Sequence, residues 1–283
     1  MSQPLFINYN GKLLRQGTPI VSADNRSFRY GDGCFETLKI KNSAIVLEAY
    51  HFERLLGAMK QLQFDIPKKF TPDFLKEQML LLLKKNKHEQ LGRVRLTVFR
   101  GDGGLFDVEN NLPNYVIQSW KLNENQERLN ENGLVTGIYK DARKVIDAFS
   151  NLKSNNFLCY VMAALWAKQQ KLNDAIVLNT NNNIADATIA NIFIVKDGVI
   201  KTPALEEGVV AGTMRRFLIN KINEHSLSFE ETRIKQEDIL SANEVFFTNA
   251  VYGIKWVQRV DETVYSNDVS RLLYQQFVQA LFE

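Results

Sequence analysis

Few residues of this chain announce chemistry by type and spacing alone. The three histidines stand at 51, 88 and 225, without the spacing of metal ligands, and the two cysteines, Cys34 and Cys159, cannot build a disulfide framework. No metal is expected, and a zinc enzyme is not the reading. Gly31-Asp32-Gly33 begins like a dinucleotide fingerprint, but Glu36 stands where the third glycine belongs. Arg100-Gly101-Asp102 is a cell-adhesion tripeptide in letters only. Arg54 and Lys153 are of the types that grip an anion and bond covalently to a carbonyl carbon. Taken singly, each is one of 35 basic residues, and a solvated charge is the plainer account.

The elements that would position such groups follow from hydrophobic period. Residues 5–9 and 12–14 flank Asn10-Gly11, a strong hairpin signal, and 35–40 with 44–47 predict a second hairpin. Phe52, Leu55, Leu56, Met59 and Leu62 fall at helical spacing, and 74–87 is another amphipathic stretch. Residues 93–98 alternate strictly, as a half-buried strand should, and 115–120 closes this half. A polar stretch, 121–128, has almost nothing to bury. The expected organisation is a small N-terminal domain over 1–120, a linker over 121–130 and a larger domain over 131–283. The second half mixes strands (134–139, 175–179, 192–195, 245–248) with three helices. These are marked by Leu158, Val161, Met162, Leu165 and Trp166, by Met214, Phe217, Leu218 and Ile222, and by Val269, Leu272, Leu273, Phe277 and Leu281. Strands and helices do not alternate one for one, so the expected class is α+β rather than a doubly wound sheet.

Composition agrees with a folded protein of this kind. A length of 283 residues suggests about two domains. Hydrophobic residues at 45% and charged residues at 24% exclude a disordered or collagen-like chain. A net charge of +3 is too small and dispersed for a nucleic-acid footprint. The longest purely apolar run, 79–83, spans no bilayer. Met1-Ser2-Gln3-Pro4 carries no basic stretch leading into an apolar core, so no signal peptide is expected. The expected compartment is the cytoplasm.

Read in order, separated segments change the weight of the single residues. Tyr30-Gly31-Asp32-Gly33-Cys34-Phe35-Glu36-Thr37, His51-Phe52-Glu53-Arg54-Leu55 and Lys153-Ser154-Asn155-Asn156 are followed by Ala185-Asp186-Ala187-Thr188-Ile189-Ala190-Asn191-Ile192-Phe193. Then come Gly208-Val209-Val210-Ala211-Gly212-Thr213-Met214-Arg215 and Glu244-Val245-Phe246-Phe247-Thr248-Asn249-Ala250. Their order and spacing resemble the class IV aminotransferases, enzymes that use pyridoxal 5'-phosphate (PLP) on fold type IV. The likeness runs from about residue 5 to 257. It implies two domains, a small N-terminal α/β domain and a larger C-terminal one with a mixed sheet and helices. It also implies an active site between them and a homodimer in which the neighbour's loop, 101–106, covers that site.

The resemblance implies a role for each matched residue. Lys153 would form the Schiff base with the cofactor aldehyde. Arg54 would bind the phosphate, with the backbone N–H groups of Thr213 and Met214 at a helix start, where Gly212 permits close backbone approach, and of Ala250 in a later turn. Asp186 would hold a proton on the pyridine nitrogen, and Asn191 belongs to the same signature. This chain departs from the family pattern at two of these positions: Asp186 replaces a glutamate one methylene longer, and Met214 replaces a threonine. Ala250 offers a backbone N–H but no side-chain oxygen.

The family comprises branched-chain transaminases, D-amino acid transaminases and 4-amino-4-deoxychorismate lyases. Gly33-Cys34-Phe35, Gly212-Thr213-Met214-Arg215 and Asn249-Ala250 resemble the lyases. The loop Arg100-Gly101-Asp102-Gly103-Gly104-Leu105-Phe106 replaces the lyases' basic turn with apolar residues and lacks the arginine–histidine pair of the D-amino acid enzymes. Tyr30 and Phe35 match pocket residues of the branched-chain branch, and Arg100 is a further substrate candidate. The favoured reading is a transaminase acting on an apolar amino acid and a 2-oxo acid. The lyase, releasing 4-aminobenzoate and pyruvate, is the alternative, and a PLP-binding relative without catalysis is the second.

Overall fold

Asn10 and Gly11 both take positive φ, 50° and 87°, the geometry a two-residue hairpin turn requires. Their hairpin joins strands β1 (Phe6–Tyr9) and β2 (Lys12–Arg15). In the computed structural model, which describes residues 5–283, it opens the first of two compact units. The reading of Met1-Ser2-Gln3-Pro4 as free of a leader lies outside the described residues.

The first unit holds the chain through Glu124 together with Leu152–Asn156. After the hairpin come helix α1 (Arg26–Tyr30), strands β3 (Gly33–Lys41) and β4 (Ala44–Ile45), helices α2 (Glu48–Gln61) and α3 (Pro72–Asn86), and strands β5 (Leu91–Arg100) and β6 (Pro113–Lys121). The strands form an antiparallel sheet of order β2-β1-β6-β5-β3-β4. Alternation sends Cys34, Leu38, Val94, Leu96, Val98 and Ile117 to one face. There they pack on Phe52, Leu55 and Met59 of α2 and Leu75, Met79 and Leu82 of α3. Pro72 opens α3 behind Thr71, whose hydroxyl accepts the Phe74 N–H at 3.2 Å, a capped start with proline where its missing N–H costs nothing.

Leu152–Asn156 groups with this unit, although the expected boundary assigns it to the second. The cause is backbone pairing. The Phe35 N–H donates to the Lys153 carbonyl and the Asn155 N–H to the Gly33 carbonyl, both at 2.9 Å, and Cys34 bridges Ser154. A Cβ at Gly33 would drive into the Val98 carbonyl and the Asn155 amide, so only glycine admits the segment here.

The second unit spans Asn125–Asn151 and Phe157–Glu283. Its strands are β7 (Leu134–Lys144), β8 (Asp174–Asn179), β9 (Ile184–Ala187), β10 (Asn191–Lys196), β11 (Val199–Pro203), β12 (Phe229–Thr232), β13 (Glu244–Asn249), β14 (Gly253–Val260) and β15 (Thr263–Val264). The sheet runs β12-β11-β10-β13-β14-β7-β8-β9, and β9 pairs back to β10, closing part of it into a ring. Ile138, Ile176, Leu178, Ile192, Ile194, Val245, Phe247 and Val257 form one core cluster. Tyr139, Ala175 and Val177 pack instead with Tyr160, Ala163 and Ala167 of helix α4 (Leu158–Gln169). Helices α5 (Thr213–Glu224), α6 (Gln236–Leu240) and α7 (Asp268–Leu273) complete the unit. The C-terminal helix that the sequence predicts is present, and its winding changes along its length. After Leu273 the turns widen over Tyr274–Val278 and tighten over Gln279–Leu281. No helix among the described residues is long and apolar enough to cross a membrane.

Candidate active site

Within the first unit the period of β3 puts Glu36 on the helix-facing side, where α2 presents His51 and Arg54 one turn apart. Arg54 grips the Glu36 carboxylate with Nε at 2.7 Å and Nη2 at 2.6 Å. His51 Nδ1 lies 2.6 Å from the same carboxylate. Burial alone would push Glu36 up, but the Arg54 guanidinium and His51 bring its carboxyl down to about 2. Burial pushes His51 below its ordinary value, against the pull of Glu36. Its neutral ring therefore donates through Nδ1, and Nε2 is buried with no partner among the described residues.

The signs of both shifts set an acid response. Unfolding lets His51 take up a proton below about pH 6.5 and Glu36 below about 4.5, so stability is full above that range and falls with pH, down to about 2 for Glu36. The Glu36 share is on the order of 3 kcal/mol. Melting temperature should fall more steeply between pH 4.5 and 2 in the wild type than in Glu36→Gln. Parallel curves would show that this cluster does not govern the response.

On the opposite face of the sheet, Phe35, buried, carries two cations. Lys153 Nζ lies 4.7 Å and the Arg95 guanidinium carbon 3.7 Å from its ring centre, a cation–π arrangement. Asn155 Nδ2 ties the lysine segment to Ser27 Oγ at 3.0 Å. Arg95 was missed by sequence reasoning. Its position in the alternating Arg93-Val94-Arg95-Leu96-Thr97 run was the available signal, since it shares a sheet face with Phe35.

In the second unit Asp186 is buried, facing Asn191 across β9 and β10 and Val177 across β9 and β8. Its Oδ1 accepts Asn191 Nδ2 at 2.8 Å. Its Oδ2 accepts the Tyr160 hydroxyl at 2.8 Å and the Val210 N–H at 3.0 Å. Burial, with Asp186 beside it, pushes the Tyr160 phenol well above its ordinary value, so it remains a donor. Lys144 Nζ stands 3.9 Å from Asp186 Oδ2. Neither Tyr160 nor Lys144 was singled out from sequence; Tyr160 lay seven residues past Lys153 on a helix already recognised.

The same asparagine reaches the start of α5. Asn191 Nδ2 also donates to the Val210 carbonyl at 2.8 Å, and a Cβ on Gly212 would fall on the Asn191 amide. Gly212 caps α5 without a side-chain hydrogen bond, so the first N–H groups, those of Thr213 and Met214 among them, lack a side-chain cap at a helix start, where the dipole favours negative charge. Thr248, opposite Asn191 on β13, buries an Oγ1 with no partner among the described residues. Ala250 follows, buried, in a turn where Asn249 Oδ1 accepts the Val251 and Tyr252 N–H groups.

Two substrate candidates, Arg100 and Tyr30, have partners of their own in the first unit. Arg100 is buried, and each of its three nitrogens has a partner. Nη1 pairs with Asp32 at 2.5 Å, Nε meets Asn111 at 3.2 Å, Nη2 donates to the Leu62 carbonyl, and the guanidinium lies over Phe64. It pins a loop and is not carried into a substrate role. Tyr30 ends helix α1. It is 39% exposed, with Arg26 and Arg29 over its ring and Phe106 at 6.1 Å.

Comparison with known proteins gives this geometry its class. Residues 33–260 match the family described as Amino-transferase class IV. The chain is 28% identical over 236 residues to an aminodeoxychorismate lyase of Vibrio harveyi, covering 83% of this chain and 85% of that one. It is 26% identical over 261 residues to a branched-chain-amino-acid aminotransferase of Pseudomonas aeruginosa, covering 89% and 84%. The crystal structure of a branched-chain aminotransferase from Thermoproteus uzoniensis, with norvaline, superposes with a TM-score of 0.89 at 22% identity over 99% of this chain and 95% of that one. The fold is that of the type IV PLP enzymes. The chain belongs to the class IV aminotransferase family, whose members use PLP.

Proposed function

We propose that this protein is a PLP-dependent aminotransferase moving an amino group between an apolar amino acid and a 2-oxo acid. The residues present suit the cofactor. The uncapped start of α5 and the unpartnered Thr248 hydroxyl suit a phosphate, and Asp186 is a buried acceptor for a protonated ring nitrogen. Bound PLP supplies an aldehyde that takes up the amino group and a ring over which carbanion charge spreads. Lys153 would hold the cofactor through its Nζ and, as a free amine, would take a proton from the substrate α-carbon as a base and return it as an acid. Phe35 would line the side-chain pocket with Tyr30 at its rim, and Arg95 would offer a guanidinium to a carboxylate.

One observation carries the choice of reaction. The loop that is basic in the lyases has its single arginine, Arg100, tied to Asp32 and the Leu62 carbonyl, while its tip shows solvent Leu105 and Phe106. Such a loop suits an apolar substrate better than a dianion. Arg95 beside Phe35 favours the second reading, an aminodeoxychorismate lyase. A spectrophotometric screen separates the two. An amino acid should convert the loaded protein to the pyridoxamine form, and a 2-oxo acid should restore it. Pyruvate and 4-aminobenzoate released from aminodeoxychorismate, with no amino acid half-reaction, would favour the lyase. Neither response would leave a PLP-binding relative without catalysis.

Arg54→Ala should lower affinity for PLP by about one to two decades, the value of a charge-assisted phosphate bond. Unchanged affinity would place the phosphate elsewhere. The proposal extends to a homodimer in the cytoplasm, where Cys34 and Cys159 stay reduced. Leu158, Val161, Met162 and Leu165 form an exposed apolar stripe along α4, the spacing of a helix face that seeks a partner. Light scattering should give twice the 32.5 kDa chain mass, and the double variant Val161→Asp, Leu165→Asp should reduce it to one chain. A dimer that survives this change would exclude the stripe as the interface.

A further inference from the structure

The two oxygens of the Asp186 carboxylate are not treated alike. Oδ2 faces Tyr160, the Val210 N–H and the Lys144 ammonium, whereas Oδ1 takes only the Asn191 amide among the described residues. A carboxylate has about four acceptor sites, so the less occupied oxygen is the one with capacity for a further donor. Lys144 is itself unusual. Its side chain is 10% exposed, and its Nζ donates to the Ser150 carbonyl at 2.5 Å and to the Gly208 carbonyl. A buried ammonium needs such partners and a counter-ion. Asp186 is its counter-ion, and the Tyr160 ring lies 6.0 Å away.

We propose that Lys144 is a positioning residue for the cofactor: clamped on two carbonyls, its ammonium fixes Oδ2 of Asp186 and limits the negative charge that Oδ1 offers a protonated ring nitrogen. The inference rests on the reading of Asp186 as the partner of that nitrogen. A cation held on one side of a carboxylate repels a second cation held on the other. In this chain the shorter acid and the buried lysine act as one unit, and Asn191 and Tyr160 keep its orientation.

The test compares two ligands on the full-length cofactor-free protein: PLP, and its analogue with the ring nitrogen replaced by C–H, which cannot carry the proton. Wild-type protein should prefer PLP. Lys144→Met should widen that preference by about tenfold, because a like charge has been removed. Lys144→Arg, which keeps the charge, should stay within about twofold of wild type. If the methionine variant does not fold, Lys144→Gln retains donors for the carbonyls without the charge and reads the same ratio. A packing role would weaken both ligands together and leave the ratio unchanged, which overturns the proposal, as does a narrowed ratio. A wild-type protein without preference would overturn the Asp186 reading beneath it.

Discussion

Lys153→Ala is expected to lose covalent attachment of PLP and to cut turnover by at least about a thousandfold, the scale of a missing acid–base group. The fold should persist, because the segment is held by its backbone bonds to Phe35 and Gly33, which alanine keeps. The ammonium over Phe35 is a cation–π contact worth about 1 kcal/mol, a small loss of stability. Borohydride reduction of the loaded wild-type protein, followed by peptide mapping, should find the pyridoxyl group on Lys153. A label on any other lysine would remove Lys153 from the centre of the site.

Asp186→Asn should be more damaging to turnover than to binding. Turnover should fall by about 10²–10³, the scale of a lost electrostatic partner in a buried site, while PLP affinity changes by less than about tenfold. The variant keeps the side-chain shape but removes the charge proposed to pair with the ring nitrogen, and leaves the Lys144 ammonium without its counter-ion. Stopped-flow measurement of the amino acid half-reaction beside equilibrium PLP binding separates the two effects. Equal turnover would show that Asp186 is not the ring partner.

What was legible in the sequence was what local period and turn chemistry decide. Asn10-Gly11 announced its hairpin, the apolar spacing of α2 and α3 announced those helices, and strict alternation placed β5. The ordered motifs brought Lys153, Arg54, Asp186 and Asn191 forward. Contacts made across the fold were not legible. Nothing local says that Glu36 faces α2, because that depends on which side of β3 meets the helices. Nor does it say that β7 ends with Lys144 beside a carboxylate on β9. Short or wholly buried strands such as β9 lack the alternation that reveals a half-buried one. Helix α1 is five residues long, too short for a helical period to register, so the helix that carries Tyr30 has no signature in the sequence. Arg100 was matched by position alone, and only its partners show that its donors are engaged.

The return of Leu152–Asn156 to the edge of β3 also bears on how the chain acquires its structure. Asn155 and Ser27 are joined across 128 residues of sequence, and contacts of such separation slow folding because a long loop must close first. During synthesis, the sheet would emerge with the Phe35 N–H and Gly33 carbonyl still unpaired. That open edge is an aggregation hazard until the later segment arrives. Lys153 therefore takes its place only when the strand edge it completes is closed, so maturation of the first unit and the positioning of this lysine are a single event.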